Sequence, residues 1–277
     1  MTLLPASPLL PHDADECPSI AAAEAAGVLA GAARRRAEGD VGDFMQLARP
    51  LLAAGMLDIA RRRVPAEARD WFEGEIATLG GAVEARRFVA AFVAAARHAG
   101  RVPIALDIDE RSSLRALGIT WSLQAWQADE LVRVALLLTA AARLSREALD
   151  NVVERCYRGG DGRERQAVLR ALPLLPHPER FLTLALDAGR SMTRPVFEAL
   201  ACDNPYPAVH FHEIHFDPMV MKAIAADLSL DRVVGLTGRV TTELMRLARA
   251  YVAERRASGR TVPPEVWRLT AEVWSAA

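Results

Sequence analysis

Half of the six histidines in this sequence fall within six residues, His210-Phe211-His212-Glu213-Ile214-His215. Imidazoles beside a carboxylate are donor types that a divalent metal accepts. Their spacing does not converge them: on a helix His212 and His215 share a side and His210 points elsewhere, while on a strand His210 and His212 share a face opposite His215. HExxH is absent. A short His-rich tract is a compositional hint, so no metal and no other cofactor is assigned.

Lys222 follows this tract. The chain has 34 basic residues, of which 33 are arginines and this one is lysine. A chain so biased uses arginine wherever a generic cation serves. The lone ammonium then marks either a place needing a compact charge whose pKa can fall on burial, or an ordinary snorkelling surface residue. With Lys222 or a histidine as base and Glu213 as its partner, the stretch would support proton transfer. Asn204, one of two asparagines, precedes Pro205-Tyr206-Pro207. Its preferred reading is a turn initiator whose amide bonds its own backbone. Lys222 could face that loop, with a substrate anion or carbonyl between them. Asn204, Tyr206, His210, Glu213, Lys222 and Arg239 together form the candidate ligand-binding set. Two other charged groups read as structural: Asp129 and Arg133, four apart, as an intrahelical ion pair, and Tyr251, Glu254 and Arg255 as one helix face.

The elements holding these residues read as helices. Apolar residues make up 51% of the chain, and alanine, leucine and arginine, all strong helix formers, dominate. From Asp43, Phe44, Leu47, Leu51, Leu52 and Ile59 are spaced for one apolar face. An amphipathic stretch from Ala66 to His98 is divided or kinked near Gly80-Gly81. Arg101 to Asp109 is a connector and the one plausible short strand. Helices are expected at about Leu123–Arg143, Ser145–Arg158, Asp161–Leu172, Glu179–Arg190 and Met192–Cys202. Asp203 to Pro207 is too proline-rich to be helical. A helix starts with Asp217 as N-cap and Pro218 at its first position, another spans Thr241–Ala257, and a short one follows Pro263-Pro264. This pattern predicts an all-α fold, a stack of antiparallel helical hairpins of HEAT or armadillo type in one domain over 41–277. No clean sequence period accompanies it. Residues 1–40 read as a flexible N-terminal tail and an Ala/Arg-rich helix.

A formal net charge of −1 argues against nucleic-acid binding through bulk electrostatics. Cys17, Cys156 and Cys202 form no CxxC or even-numbered framework, as suits a reducing compartment. Prolines and the acidic run Asp13 to Glu16 stand where a secretory signal needs positive charge and an apolar core. No apolar stretch nears the roughly 20 residues of a spanning helix. A cytoplasmic location without direct membrane insertion is expected. Phosphate-loop, nucleophile-elbow and dinucleotide fingerprints are absent.

Several segments together resemble the EboA family. They are Asn204-Pro-Tyr-Pro-Ala208, Phe211, Glu213 and Met219-Val-Met-Lys222-Ala223; upstream, Ala171 to Glu179 and Val196 to Ala199; downstream, Gly235-Leu236, Arg239, Glu243-Leu244, Tyr251 to Arg255 and Gly259 to Arg268. Trp126 to Arg133 matches more weakly. The likeness covers Trp121 to Leu269 well, Phe44 to Arg101 faintly, and residues 1–40 not at all. The chain departs from the family pattern at Asp217-Pro218, where Asn-Gln is usual, and near Met192 and Thr241, where asparagines are usual. The resemblance implies a gene-cluster setting with prenyltransferase, sugar-phosphate-isomerase-like and cyclitol-synthase-like neighbours, and a role in making or moving a secondary metabolite toward the cell envelope. Three readings follow, in order: a binding protein for a polar small-molecule metabolite, a scaffold for cluster enzymes such as the membrane prenyltransferase, and an enzyme of the same pathway.

Overall fold

The computed structural model describes residues 41–79 and 85–270. The tail and Ala/Arg-rich segment of residues 1–40, with Cys17, and the Gly80-Gly81 pair lie outside the described residues. The chain divides after Ala48 into two compact units. Of the first, only residues 41–48 are described, as the opening of a helix; everything below concerns the second, from Arg49 onward.

The described residues are all-α, with thirteen α-helices and no strand. These are α1 (Val41–Arg63), α2 (Arg69–Thr78), α3 (Ala85–Ala99), α4 (Ile108–Ala116), α5 (Ala128–Ala141), α6 (Arg146–Arg158), α7 (Gly162–Ala171), α8 (Leu182–Arg190), α9 (Arg194–Ala201), α10 (Tyr206–His210), α11 (Glu213–Ala225), α12 (Thr242–Ala257) and α13 (Trp267–Thr270). Helix α3 packs on α5, α5 on α7, α7 on α9 and α9 on α11, so every second helix continues one layer. These contacts establish the ladder, not a HEAT or armadillo repeat.

At the centre lies α5. Its sequence is apolar all round, as a helix surrounded by others must be, and Leu131, Val132, Val134, Leu136 and Leu137 have no exposed surface. Each such side chain contributes about 1.5–3 kcal/mol when fully buried. The same helix buries Asp129, Glu130 and Arg133, three charges that must be satisfied inside the protein.

Local chemistry explains the boundaries. Ser145 accepts the amide of Ala148 at 3.3 Å and starts α6; Thr241 accepts that of Leu244 at 3.0 Å and starts α12. Asp161 caps α7 by accepting from Arg163 and Glu164. Between α6 and α7, Gly160 is required: a Cβ there would sit 2.3 Å from the Cys156 carbonyl oxygen.

Four expectations change. The connector after Arg101 makes one isolated antiparallel bridge, Pro103 to Gln127, and no strand; it ends early because Asp107 and Glu110 form a capping box that opens α4. Helix α5 starts at Ala128 rather than Leu123. The proline-rich loop turns helical at Tyr206, because Pro207 falls in the first turn, where a missing N–H costs nothing. Asp217 and Pro218 lie inside α11, which His212 precedes as N-cap; the proline forgoes the bond its N–H would donate to Ile214.

Candidate functional site

The corner between α9 and α11 holds the predicted ligand set. Asn204 is buried, and its amide is fully used: Nδ2 donates to the carbonyls of Leu169 and Ala199, both at 3.0 Å, and Oδ1 accepts the Tyr206 amide at 3.0 Å. It is the turn-forming residue of this corner, tied also to α7. Tyr206 is buried, its hydroxyl donates to the Pro178 carbonyl at 2.7 Å, and burial raises its pKa. The His210 ring lies 4.5 Å from the Tyr206 ring, and burial lowers its pKa against the opposing pull of Glu179.

Arg239 closes the other side of α10. It donates to the carbonyls of Pro207 (3.1 Å), Ala208 (3.0 Å) and Phe211 (2.7 Å), and its guanidinium lies over the Phe216 ring at 4.2 Å. Gly235 permits this approach: its φ is +76°, and a Cβ there would meet that of Ala208 at 2.7 Å. Lys222 turns away from Asn204 and Tyr206. Its Nζ donates to the carbonyls of Gly189 (2.9 Å) and Ser191 (2.7 Å) and lies 4.3 Å from the centre of the Phe197 ring. Burial pushes its pKa down, while the carbonyls and ring face favour the ammonium. Its role is to close the C-terminus of α8.

Glu213 is exposed at the start of α11. Nine residues of helix at 1.5 Å each put it roughly 13 Å from Lys222 along the axis, so the two do not form an acid–base pair. His212 is exposed, and the His215 ring meets the edge of Phe211 at 6.3 Å. No group of three or more His, Cys, Asp or Glu among the described residues is placed to hold a metal. The corner thus gathers Asn204, Tyr206, His210 and Arg239, leaves Glu213 and Lys222 apart, and uses its polar donors on backbone carbonyls.

Open space lies elsewhere. A groove of about 720 Å3 runs between the connector Ile104–Leu106, one face of α4, and the loop 119–124. Its size falls in the usual range for small-molecule sites, roughly 300–1,000 Å3. Ile108, Arg111, Ser112 and Arg115 face it at the i, i+3, i+4, i+7 spacing of a single helix stripe. Trp121, Ile119 and Leu123 form the opposite wall. The wall is fixed from behind: Glu110, buried, accepts from Arg62 at 3.0 Å and Arg63 at 2.7 Å, and Arg63 also donates to the Ala105 carbonyl at 2.7 Å. The sequence carried a signal for this element, the Asp107-x-x-Glu110 capping pattern, which the connector reading of Arg101 to Asp109 passed over.

A second polar cluster lies inside, where the starts of α5 and α7 meet. Asp129 accepts from Arg133 at 2.7 Å and from Arg163 at 2.5 and 3.1 Å, and Arg163 also donates to Gln127 at 2.7 Å. Arg133 donates in addition to the Phe92 carbonyl at 2.9 Å and lies 3.8 Å from Glu164. Burial alone would raise the Asp129 pKa, but the two guanidinia overcome it and hold the carboxyl below its ordinary value. The intrahelical pair expected from sequence is present; its burial, and the third member Arg163, were not foreseen. Burial also pushes the Cys156 thiol up to about 12 and the Cys202 thiol up to about 11, so neither is a ready nucleophile.

The family model described as Metabolite traffic protein EboA matches residues 54–271. The chain belongs to the EboA family. No curated protein and no solved structure matches the chain. The EboA match begins inside α1 and takes in the groove, the α5–α7 charge cluster and the α9–α11 corner. The family description gives the protein a metabolite-related role. Among the described residues, no helix is long and apolar enough to cross a membrane.

Proposed function

We propose that this EboA-family protein is a non-covalent carrier: it binds a polar small-molecule intermediate of a secondary-metabolite pathway in the cytoplasm and hands it on toward the cell envelope. The observation that supports this reading is the groove beside α4, of ligand size and mixed lining, with a wall anchored by Glu110 to α1. Binding is favoured over proton-transfer chemistry because the groups first suited to that chemistry are occupied. The Lys222 ammonium is held by two carbonyls, and Asn204 and Arg239 by others.

A scaffold reading, docking a cluster enzyme such as the membrane prenyltransferase, draws support from the exposed Met192, Val209 and Ile214, large apolar side chains left in solvent. Native mass spectrometry of the full chain purified from a host expressing its gene cluster separates the two. The carrier reading expects a non-covalent small-molecule adduct that is absent from the denatured spectrum. A clean apo mass together with a co-purifying cluster enzyme would overturn it in favour of the scaffold.

A further inference from the structure

We infer that the groove beside α4 is an anion-reading site, taking a ligand with an apolar body and one phosphate- or carboxylate-type head. This rests on the carrier reading and names the ligand class. Arg111 and Arg115 stand four apart on the stripe that faces the groove. Like charges at that spacing destabilise a helix, and no carboxylate lines the groove to offset them. Of the acids at the start of α4, Asp107 caps the helix, Glu110 is held from behind by Arg62 and Arg63, and the exposed Asp109 is not part of the groove lining. Arg111 donates to the Leu106 carbonyl, which orients it along the rim. The Arg115 carbonyl accepts the Gly118 amide at 3.0 Å, but its guanidinium has no hydrogen bond or ion pair among the described residues.

Two guanidinium forks at one mouth match the bidentate geometry of phosphate and carboxylate. The apolar part of the lining gives the ligand its other half. Ile108 is 73% exposed on the same stripe, and Trp121 stands across the gap beside the buried Ile119 and Leu123. Burying an alkyl or ring system between Ile108 and Trp121 while its anionic end meets Arg115 satisfies both halves at once. A neutral apolar molecule leaves the guanidinia unused, and a bare anion leaves Ile108 and Trp121 in water.

The test uses the full chain and four probes: octyl phosphate, octanoate, octanol and inorganic phosphate. Titrations are followed by calorimetry and by tryptophan fluorescence, with Trp121→Phe identifying the responding indole. Octyl phosphate or octanoate should bind at least tenfold more tightly than octanol and inorganic phosphate. Arg115→Gln should remove about tenfold of that preference and Arg115→Glu more, with the unfolding midpoint not lowered, because the side chain is exposed and its repulsion from Arg111 is relieved. The relative affinity of octyl phosphate and octanoate identifies the head group. Equal affinity for octanol and octyl phosphate, no effect of Arg115→Glu, or a fluorescence response that survives in Trp121→Phe would overturn the inference. An adduct in native spectra that persists in Arg115→Glu would leave the carrier reading standing and remove this site from it. Octyl phosphate binding without any co-purifying metabolite would do the reverse.

Discussion

Replacing Asp129 by asparagine should cost the protein a large share of its stability. The carboxylate has no exposed surface and Arg133 is 1% exposed; between them they close the junction of α5 and α7. Asparagine keeps the shape and removes the charge. Arg133 is then left buried with the Phe92 carbonyl at 2.9 Å and Glu164 at 3.8 Å, whereas Arg163, with 22% of its side chain exposed, can turn to water. Breaking a buried pair by removing one partner costs about 3–5 kcal/mol. With a urea m-value of about 2 kcal/mol/M, the midpoint should fall by roughly 1.5–2.5 M. Exchanging both partners for apolar groups removes the uncompensated charge, so Asp129→Leu with Arg133→Met should recover most of the loss. The acid limb carries the same signature. Because the folded pKa of Asp129 is lowered, its contribution is present above the ordinary carboxylate value and is lost as pH falls through the lowered one. The variant's stability should therefore fall less on acidification than that of the native protein. A loss under about 1 kcal/mol for Asp129→Asn, or a double variant less stable than the single one, would refute this account of the junction.

Three other substitutions probe the corner. Asn204→Ala strands the Leu169 and Ala199 carbonyls inside the protein and should cost about 2–4 kcal/mol by denaturant unfolding; near-neutral behaviour would mean that water replaces the amide. Lys222→Met should cost about 1–2 kcal/mol and speed amide exchange at the end of α8, while Lys222→Arg keeps most of the stability. If Lys222→Arg retained stability but abolished metabolite transfer, the ammonium would have a chemical role beyond capping. Asp217 has one buried carboxylate oxygen without a hydrogen bond, and burial raises its pKa. Between the ordinary and the raised value the folded state binds more protons than the unfolded one, so stability falls as pH rises through that window. Asp217→Asn should raise the melting temperature at pH 8 and change it little at pH 4; an equal effect at both would remove the titration from the explanation.

The helices were legible in the sequence where two independent signals coincided. Ser145, Asp161 and Thr241 are cap-forming residues ahead of segments with helically spaced apolar positions, and each caps a helix within a residue of the expected start. Where only one signal was present, competing physics prevailed. Asp217-Pro218 looks like a helix start, yet α11 begins five residues earlier, because proline costs a helix one hydrogen bond while Phe216, Met219 and Val220 bury into the core. The groove escaped notice for a related reason. Its guanidinia belong to α4, whose exposed stripe Ile108, Arg111, Ser112, Arg115 has little of the apolar periodicity that marks a helix in sequence. Asp129 and Arg133 were readable as a pair from their spacing. Their burial was also readable in principle, from the unbroken apolar run Val134 to Leu138 that follows.

The lone lysine illustrates a more general limit. Short helices leave many carbonyls without partners at their C-termini, and a stack that buries those ends must bring donors to them. Arg143 donates to the Ile76 carbonyl at 2.8 Å at the end of α2, Arg165 to Tyr157 at 3.1 Å at the end of α6, and Arg239 to Pro207 and Ala208 in α10. Lys222 does the same for α8. Rarity by residue type therefore singled out a group that shares its task with at least three arginines. What distinguishes a cation available for a ligand is the absence of such a carbonyl, a property of the fold that no count of residues contains. By that criterion Arg115, one arginine among 33, is better placed for ligand recognition than the only lysine.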